Sequence, residues 1–502
     1  MHTHRGSWGR DALILTVLSL MTNALGFLYR VILSRMTGAT VMGLYQLVMP
    51  VYSVLMSLTA YGLTTAVSNL TARHLARQDT LAARQTVQTG YLIFWLLLLP
   101  VGCCAIAGSD FISTALLGDA RTQLGIILLV PCVALTGVEN LHKYVFYGSG
   151  RVIPPALCEL WEQLLRILAV FFLLHTLLPQ YPERVVGLIV LGMVLCEVCS
   201  ACNLALLYRR YFLRPPLVGQ GEAAKVRWEK ILSLSIPVGF NVLLGNLLSA
   251  ANSALIPRQL VAGGMGREEA MGAFGVLCGM TLPLLSLPTV FLGALTLVLG
   301  SRMAQASELK QLTTLRRLLD RAMGLTAALA FPALALLAVV GADLGQVLFH
   351  QTGVGRFLLP LALVTGLGAS CTVLACTLNN TGQQRAVAAI SLLGGGVQLL
   401  LSVLLIPGLG LSGFVWAALL STLLELGLSL LRAKRSTGCT ICWFSWFLAP
   451  GLAAALAGLC ANLLYRVLTA ACLPNPWAGL ATVVFGGLLA LAALQAQGLH
   501  LL

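Results

Sequence analysis

The chain has 502 residues, of which 58% are hydrophobic and only 10% charged, with a mean hydropathy of +0.90 and a formal net charge of +14. Soluble domains carry about 25% charged residues, so a water-soluble globular enzyme of this length is excluded. Repeated apolar runs of the roughly 20 residues that cross a bilayer predict an all-α polytopic membrane protein instead.

In chain order the runs predict about fourteen transmembrane helices. They lie at roughly 11–35, 42–70, 87–109, 122–147, 153–178, 185–208 and 231–257, and then at 272–301, 318–341, 356–380, 386–406, 411–431, 443–466 and 477–498. The first follows a short basic lead (Arg5, Arg10), contains Asn23 and Arg30, and ends without an A-x-A cleavage site. It therefore reads as a retained helix rather than a signal peptide. Gly148-Ser149-Gly150, Pro179-Gln180-Tyr181-Pro182, Pro407-Gly408-Leu409-Gly410 and Pro474-Asn475-Pro476 punctuate the runs as turns.

Placing the N-terminus in the cytoplasm puts 21 of the 31 Lys and Arg in inside segments. About seven fall outside, and Arg30, Lys143 and Arg166 stay within spans. That bias is the positive-inside signature of a bacterial cell membrane protein with both termini cytoplasmic. The net charge thus answers to topology and an anionic inner leaflet, and no nucleic-acid partner is expected.

Gly43-Leu44-Tyr45-Gln46-Leu47 opens the second span and Gly272-Ala273-Phe274-Gly275 the eighth; Gly148-Ser149-Gly150-Arg151 ends the fourth and Asn380-Thr381-Gly382-Gln383 the tenth. Both offsets are about 230 residues. A parallel repeat of six spans predicts two six-helix bundles facing each other across a cleft. The organisation follows: a cytoplasmic N-terminus (1–10), a first bundle (11–210), a basic cytoplasmic linker (211–230), a second bundle (231–435) and two additional helices (436–502).

The fifth span holds Glu159, Glu162, Gln163 and Arg166 in an otherwise apolar run. Ionisable groups at bilayer depth cost at least a few kcal/mol and face a wet cavity or a partner. Glu162 and Arg166 are i,i+4 and share one helix face. At an offset of 232 their counterparts are Gly394, Gly395 and Gln398, so the charge is expected on the first bundle, with close backbone packing or a smooth wall in the second.

Gly26-Phe27-Leu28-Tyr29-Arg30 with Arg35, Gly43-Leu44-Tyr45-Gln46-Leu47-Val48-Met49-Pro50 and Leu255-Ile256-Pro257-Arg258 are among the motifs over roughly residues 10–430 that resemble the stage V sporulation protein B group of polysaccharide-biosynthesis transporters. Leu282-Pro283-Leu284-Leu285-Ser286-Leu287-Pro288 and the Glu162-Gln163 pair with Arg166 carry the same resemblance. That group is related to multidrug and toxin extrusion (MATE) transporters and to lipid-linked peptidoglycan-precursor flippases. The resemblance implies an inner-membrane flippase, active in cell-wall or sporulation polysaccharide biosynthesis. It would move a lipid-linked oligosaccharide or peptidoglycan precursor outward by alternating access. The chain departs from the group at Asn69, where a Lys is expected, and at Glu159, where a Gln is usual; both changes make the first bundle less positive.

A polyprenyl-diphosphate-linked glycan needs cations for its phosphates, polar groups for its sugars and an apolar path for its tail through membrane lipid. Arg30 and Arg166 suit the phosphates through forked donors; Asn69, Gln163, Asn241, Asn246 and Gln398 suit hydroxyls. Structural readings stand beside these: Arg166 locked to Glu162, Arg30 snorkelling to the interface, and Asn241 and Asn246 joining helices. Glu139 with Lys143 reads as a structural i,i+4 pair or as part of ion coupling. Glu197 and Glu425, without a local partner, read as protonation sites coupled to H+ or Na+, or as neutral carboxyls bonding a neighbouring helix.

The 14 cysteines lie mostly in apolar spans and act as small hydrophobes. No metal, cofactor or catalytic residue is expected, GxxxxGK[ST] is missing from the sequence, and the chain is expected to be a monomer. A MATE-like cation-coupled multidrug exporter is the alternative function, and a membrane-embedded glycosyltransferase a more distant one.

Overall fold

The computed structural model describes residues 7–213, 218–471 and 475–497; Arg5 of the basic lead, Arg214 of the linker and Pro474 of the last turn lie outside them. The described chain is helical throughout, without a strand. Two compact units divide it, residues 1–254 and 255–502.

Unit 1 contains α1 (Ser7–Met56), α2 (Gly62–Ala76), α3 (Thr80–Ala107), α4 (Gln123–Gly148), α5 (Ile153–Leu177), α6 (Val185–Tyr208) and most of α7 (Ala224–Ala262). The apolar run from 14 to 76 spans 63 residues, about 95 Å of helix at 1.5 Å per residue. That is some three times the hydrocarbon thickness, so it holds two crossings. Gly38, with φ 80° and ψ 178°, breaks the helix between them; this backbone geometry strongly favours glycine.

Unit 2 contains α8 (Arg267–Phe274), α9 (Leu282–Ser286), α10 (Phe291–Glu308), α11 (Leu312–Phe349), α12 (Leu358–Asn380), α13 (Gln384–Leu409), α14 (Leu411–Thr437), α15 (Ala449–Ala470) and α16 (Asn475–Ala496). The run expected as one span over 272–301 stays helical but is irregular, with residues 267–289 long and apolar enough to cross. A π segment at 275–281, a short α9 and a 3-10 turn at 287–289 precede α10. Pro283 and Pro288 lie in this stretch, and each removes a backbone donor and crowds the preceding turn.

Twelve helical runs among the described residues are long and apolar enough to cross a membrane. The first of them is long enough for two crossings, and α5, a continuous helix of 25 residues carrying Glu159, Glu162 and Arg166, is long enough for another, which is roughly consistent with the fourteen expected. The protein is a multi-pass membrane protein.

Both units repeat one packing pattern. In unit 1 α6 packs on α4 and α5; in unit 2 α14 packs on α12 and α13. The turns leaving α4 and α12 both use a glycine at φ 76°, Gly150 and Gly382. α15 and α16 pack on α11, helped by the Trp446 indole, which donates to Asp320 Oδ1 at 2.6 Å.

The first part of α7 is held inside unit 1 by small residues and polar ties. A Cβ at Gly62 would collide with the Ser235 carbonyl and lie 2.9 Å from the Gly239 Cα, so the two backbones touch directly. The Glu222 amide just before α7 and the Arg227 guanidinium in its first turn both donate to Gln85 Oε1 on α3, at 3.0 and 2.7 Å.

Gly62→Ala is therefore expected to lower the thermal unfolding midpoint, since overpacking of a close contact costs about 1–3 kcal/mol. Gly26→Ala, where nothing lies within 4 Å, serves as the control; equal midpoints for the two variants would refute the contact's importance.

Candidate functional site

α5 starts at Ile153 with Pro154 and Pro155 in its first turn, where the missing N–H groups have no helical partner to lose. From there Glu159, Glu162 and Arg166 follow at spacings of three and four, along one face. This face meets α4 and α6.

The Arg166 guanidinium bonds Glu162 one turn away and reaches Glu197 Oε1 on α6 at 3.3 Å. Glu139 of α4 completes the group: oxygens of Glu139, Glu162 and Glu197 all lie within 4.8 Å of one another. The three residues are 1%, 8% and 2% exposed. Lys143 closes the other end, 3.3 Å from Glu139 and 3.1 Å from Glu159, while the Tyr147 hydroxyl donates to Glu159 at 3.4 Å. Four carboxylates from three helices thus surround two cations.

Glu197 has no partner one turn away, as expected, and bonds a neighbouring helix instead. Its partner lies 31 residues away in sequence, on a neighbouring helix, so no spacing rule reveals it. Glu159, the carboxylate expected only to make the bundle less positive, bridges α5 to Lys143 on α4. Tyr29 and Tyr45 of α1, both buried, lie within electrostatic range of Arg166. Sequence reasoning did not assign them a role; their phenol groups in apolar spans were the available signal.

Arg30 is half-buried on α1, within electrostatic range of the same Tyr45, and forms no ion pair among the described residues. Gln163 is half-buried beside the cluster on α5. Asn246 joins helices: its amide donates to Ser57 Oγ at 2.6 Å and to the Ser53 carbonyl at 3.2 Å. Asn69 on α2 and Asn241 on α7 are exposed and not gathered into the cluster.

In unit 2 the wall is not smooth. The half-buried Glu425 of α14 fits its carboxylate against Gly394 of α13, where a Cβ would overlap it. The glycine corresponding to Glu162 therefore makes room for a carboxylate from the next helix. Gln398 lies one turn beyond on α13, half-buried.

The three clustered carboxylates are the described residues most able to hold a cation. Their oxygens already meet Arg166 and Lys143, so a proton or a monovalent ion suits the residual charge better than a divalent metal.

The family described as polysaccharide biosynthesis protein matches residues 8–267. Stage V sporulation protein B of Bacillus subtilis (strain 168) is 25% identical over 361 residues, covering 70% of this chain and 69% of that protein. Sporulation protein YkvU of the same organism is 20% identical over 349 residues, covering 68% and 75%. Among solved structures, the lipid II flippase MurJ in an inward closed conformation superposes with a TM-score of 0.73 at 11% identity, covering 96% of this chain and 98% of that one. An inward-facing multidrug resistance MATE family transporter of the MOP superfamily superposes with a TM-score of 0.67 at 14% identity, over 86% and 100%. These two share the fold.

Removing one member of a buried ion network strands its partners, at about 3–5 kcal/mol. Arg166→Gln is expected to be strongly destabilising, and Arg166→Gln with Glu162→Gln less so than the sum of the singles. Thermal unfolding of the four proteins in a double-mutant cycle measures this; additivity within about 0.5 kcal/mol would show that the pair is not a unit.

Proposed function

The chain belongs to the polysaccharide biosynthesis protein family, and from that premise we propose that it is a flippase carrying a lipid-linked oligosaccharide or peptidoglycan precursor outward across the bacterial cell membrane by alternating access. The observation that most supports this reading is the pair of guanidiniums within electrostatic range of Tyr45: Arg30 without an ion-pair partner among the described residues, and Arg166 held by carboxylates. A diphosphate carries charge that a membrane interior does not solvate, and forked guanidinium donors replace its water. In this reading Arg30 receives the phosphates first, Gln163 bonds the glycan, and the polyprenyl tail stays in lipid. Gln398, on the glycine-rich α13, serves the glycan from the second bundle; Asn69 and Asn241 serve it from exposed helix faces, and Asn246 contributes by holding α7.

The excess of carboxylates supplies a coupling site. Uptake of H+ or Na+ by Glu139, Glu162 and Glu197 loosens their hold on Arg166 and frees it for phosphate; loss of the ion re-engages it and releases the substrate. Glu425 against Gly394 offers a second ion site in the other bundle. Substrate and ion thus alternate as partners of one guanidinium, which is a coupling free energy between two sites. The chain acts as a monomer in this scheme, without a catalytic residue or cofactor.

The buried acidic excess also favours one other reading, a MATE-like cation-coupled multidrug exporter, in which an organic cation takes the place of the ion.

Reconstitution into liposomes with a labelled polyprenyl-diphosphate glycan tests the proposal. Wild type is expected to translocate it, and Arg30→Gln to lose at least roughly tenfold in rate with an unchanged unfolding midpoint, because charge-assisted bonds contribute about 1.5–3 kcal/mol each. Equal rates would remove Arg30 from the path. Transport of a cationic dye in place of the glycan would establish the exporter.

A further inference from the structure

We propose that unit 1 carries a second binding site, for a phosphate ester, in a cavity at the helix ends away from the carboxylate cluster. The cavity has a volume of about 260 Å³ and forms where α2 ends, α3 begins, and α4 and α6 end; Thr71, Arg84, Ser149, Arg151, Tyr208 and Tyr211 are among its walls. None of these residues belongs to the Arg166 cluster. Pockets for drug-sized ligands run from about 300 to 1,000 Å³, so this one takes a group of headgroup size and excludes a lipid-linked glycan.

Its chemistry selects an anion. The lining holds two guanidiniums and no carboxylate. Neither arginine forms an ion pair among the described residues. Arg151 stacks over the Tyr211 ring, 4.8 Å from its centroid, which fixes the guanidinium plane and leaves its N–H edge for a ligand. Arg84 Nε is buried without a hydrogen-bond partner. The Thr71 hydroxyl is in the same condition, on a residue only 1% exposed. Ser149 is already committed, donating to the Phe146 carbonyl at 2.8 Å.

Two unpaired positive charges and an idle hydroxyl around one small cavity match a phosphate ester, which carries up to two negative charges and several acceptor oxygens. Much of the remaining wall is apolar or aromatic: Tyr208 stacks on Phe212 with ring centroids 5.4 Å apart and planes 24° apart, a surface for the carbon part of the ester. Thr80 also lines the cavity, but its hydroxyl is already engaged, accepting from the Val218 amide at 2.8 Å. The ester comes either from an anionic phospholipid headgroup or from a soluble organic phosphate; the recognition is the same.

The test uses the full-length protein in nanodiscs and two probes. In phosphatidylcholine discs, glycerol 3-phosphate is titrated by calorimetry. In discs containing phosphatidylglycerol, retained anionic lipid is counted by native mass spectrometry. Wild type is expected to bind saturably in one arm, which identifies the source. Arg84→Gln with Arg151→Gln is expected to weaken that binding at least tenfold, Thr71→Val about threefold, and Arg435→Gln, an exposed arginine of unit 2, not at all. Saturable binding in neither arm, or binding equal in the double variant and wild type, would overturn the proposal. Should the double variant fail to fold, Thr71→Val decides alone: a volume-preserving loss of the hydroxyl that left binding unchanged would overturn it equally.

Discussion

A guanidinium cannot lie among apolar helices without anions to meet it, and Arg166 makes that demand at the centre of unit 1. Its answer comes from three helices: Glu162 on its own, Glu197 on α6, and Glu139 of α4 in the same carboxylate group. Each of these groups would be costly alone. Together they couple the positions of α4, α5 and α6, since displacing any one helix strands charge on the other two. Lys143 extends the coupling through Glu159. The bundle's register at this level is thus set by electrostatics, with apolar packing filling in around it.

The two units share a helix order and a packing scheme but use it differently. Where α5 of unit 1 presents Glu162, α13 of unit 2 presents Gly394, and the space is taken by Glu425 from the following helix. Side-chain volume is conserved in kind: a carboxylate occupies the groove in both units, supplied from one helix in the first and from its neighbour in the second. Among the described residues, the ion pairs of this groove are in unit 1. A duplicated architecture can divide labour this way because the backbone pattern depends on apolar periodicity and glycine turns. The polar chemistry depends on a few positions that change without disturbing either.

The cluster gathers four carboxylates around two cations; the proposed ion coupling would draw on that excess. Arg30, within electrostatic range of the same Tyr45, contrasts with Arg166 in having no ion-pair partner among the described residues.

The sequence by itself determined the spans, because roughly 20 apolar residues and a backbone without water leave little but a helix. Glycines and prolines marked most of the turns, and the i,i+4 rule paired Glu162 with Arg166 and Glu139 with Lys143, since helix geometry fixes neighbours one turn apart. It also located the repeat, whose turns at Gly150 and Gly382 share one backbone angle. Only the tertiary structure decided that these two pairs are one network with Glu159 and Glu197. It alone showed that the helix over 272–301 is irregular, that Asn246 ties α7 to the Ser53–Ser57 stretch, and that Glu425 fills the Gly394 notch. Those outcomes depend on which face of each helix turns toward its neighbour, and that rotation is set by packing between residues distant in the chain, which no local spacing records.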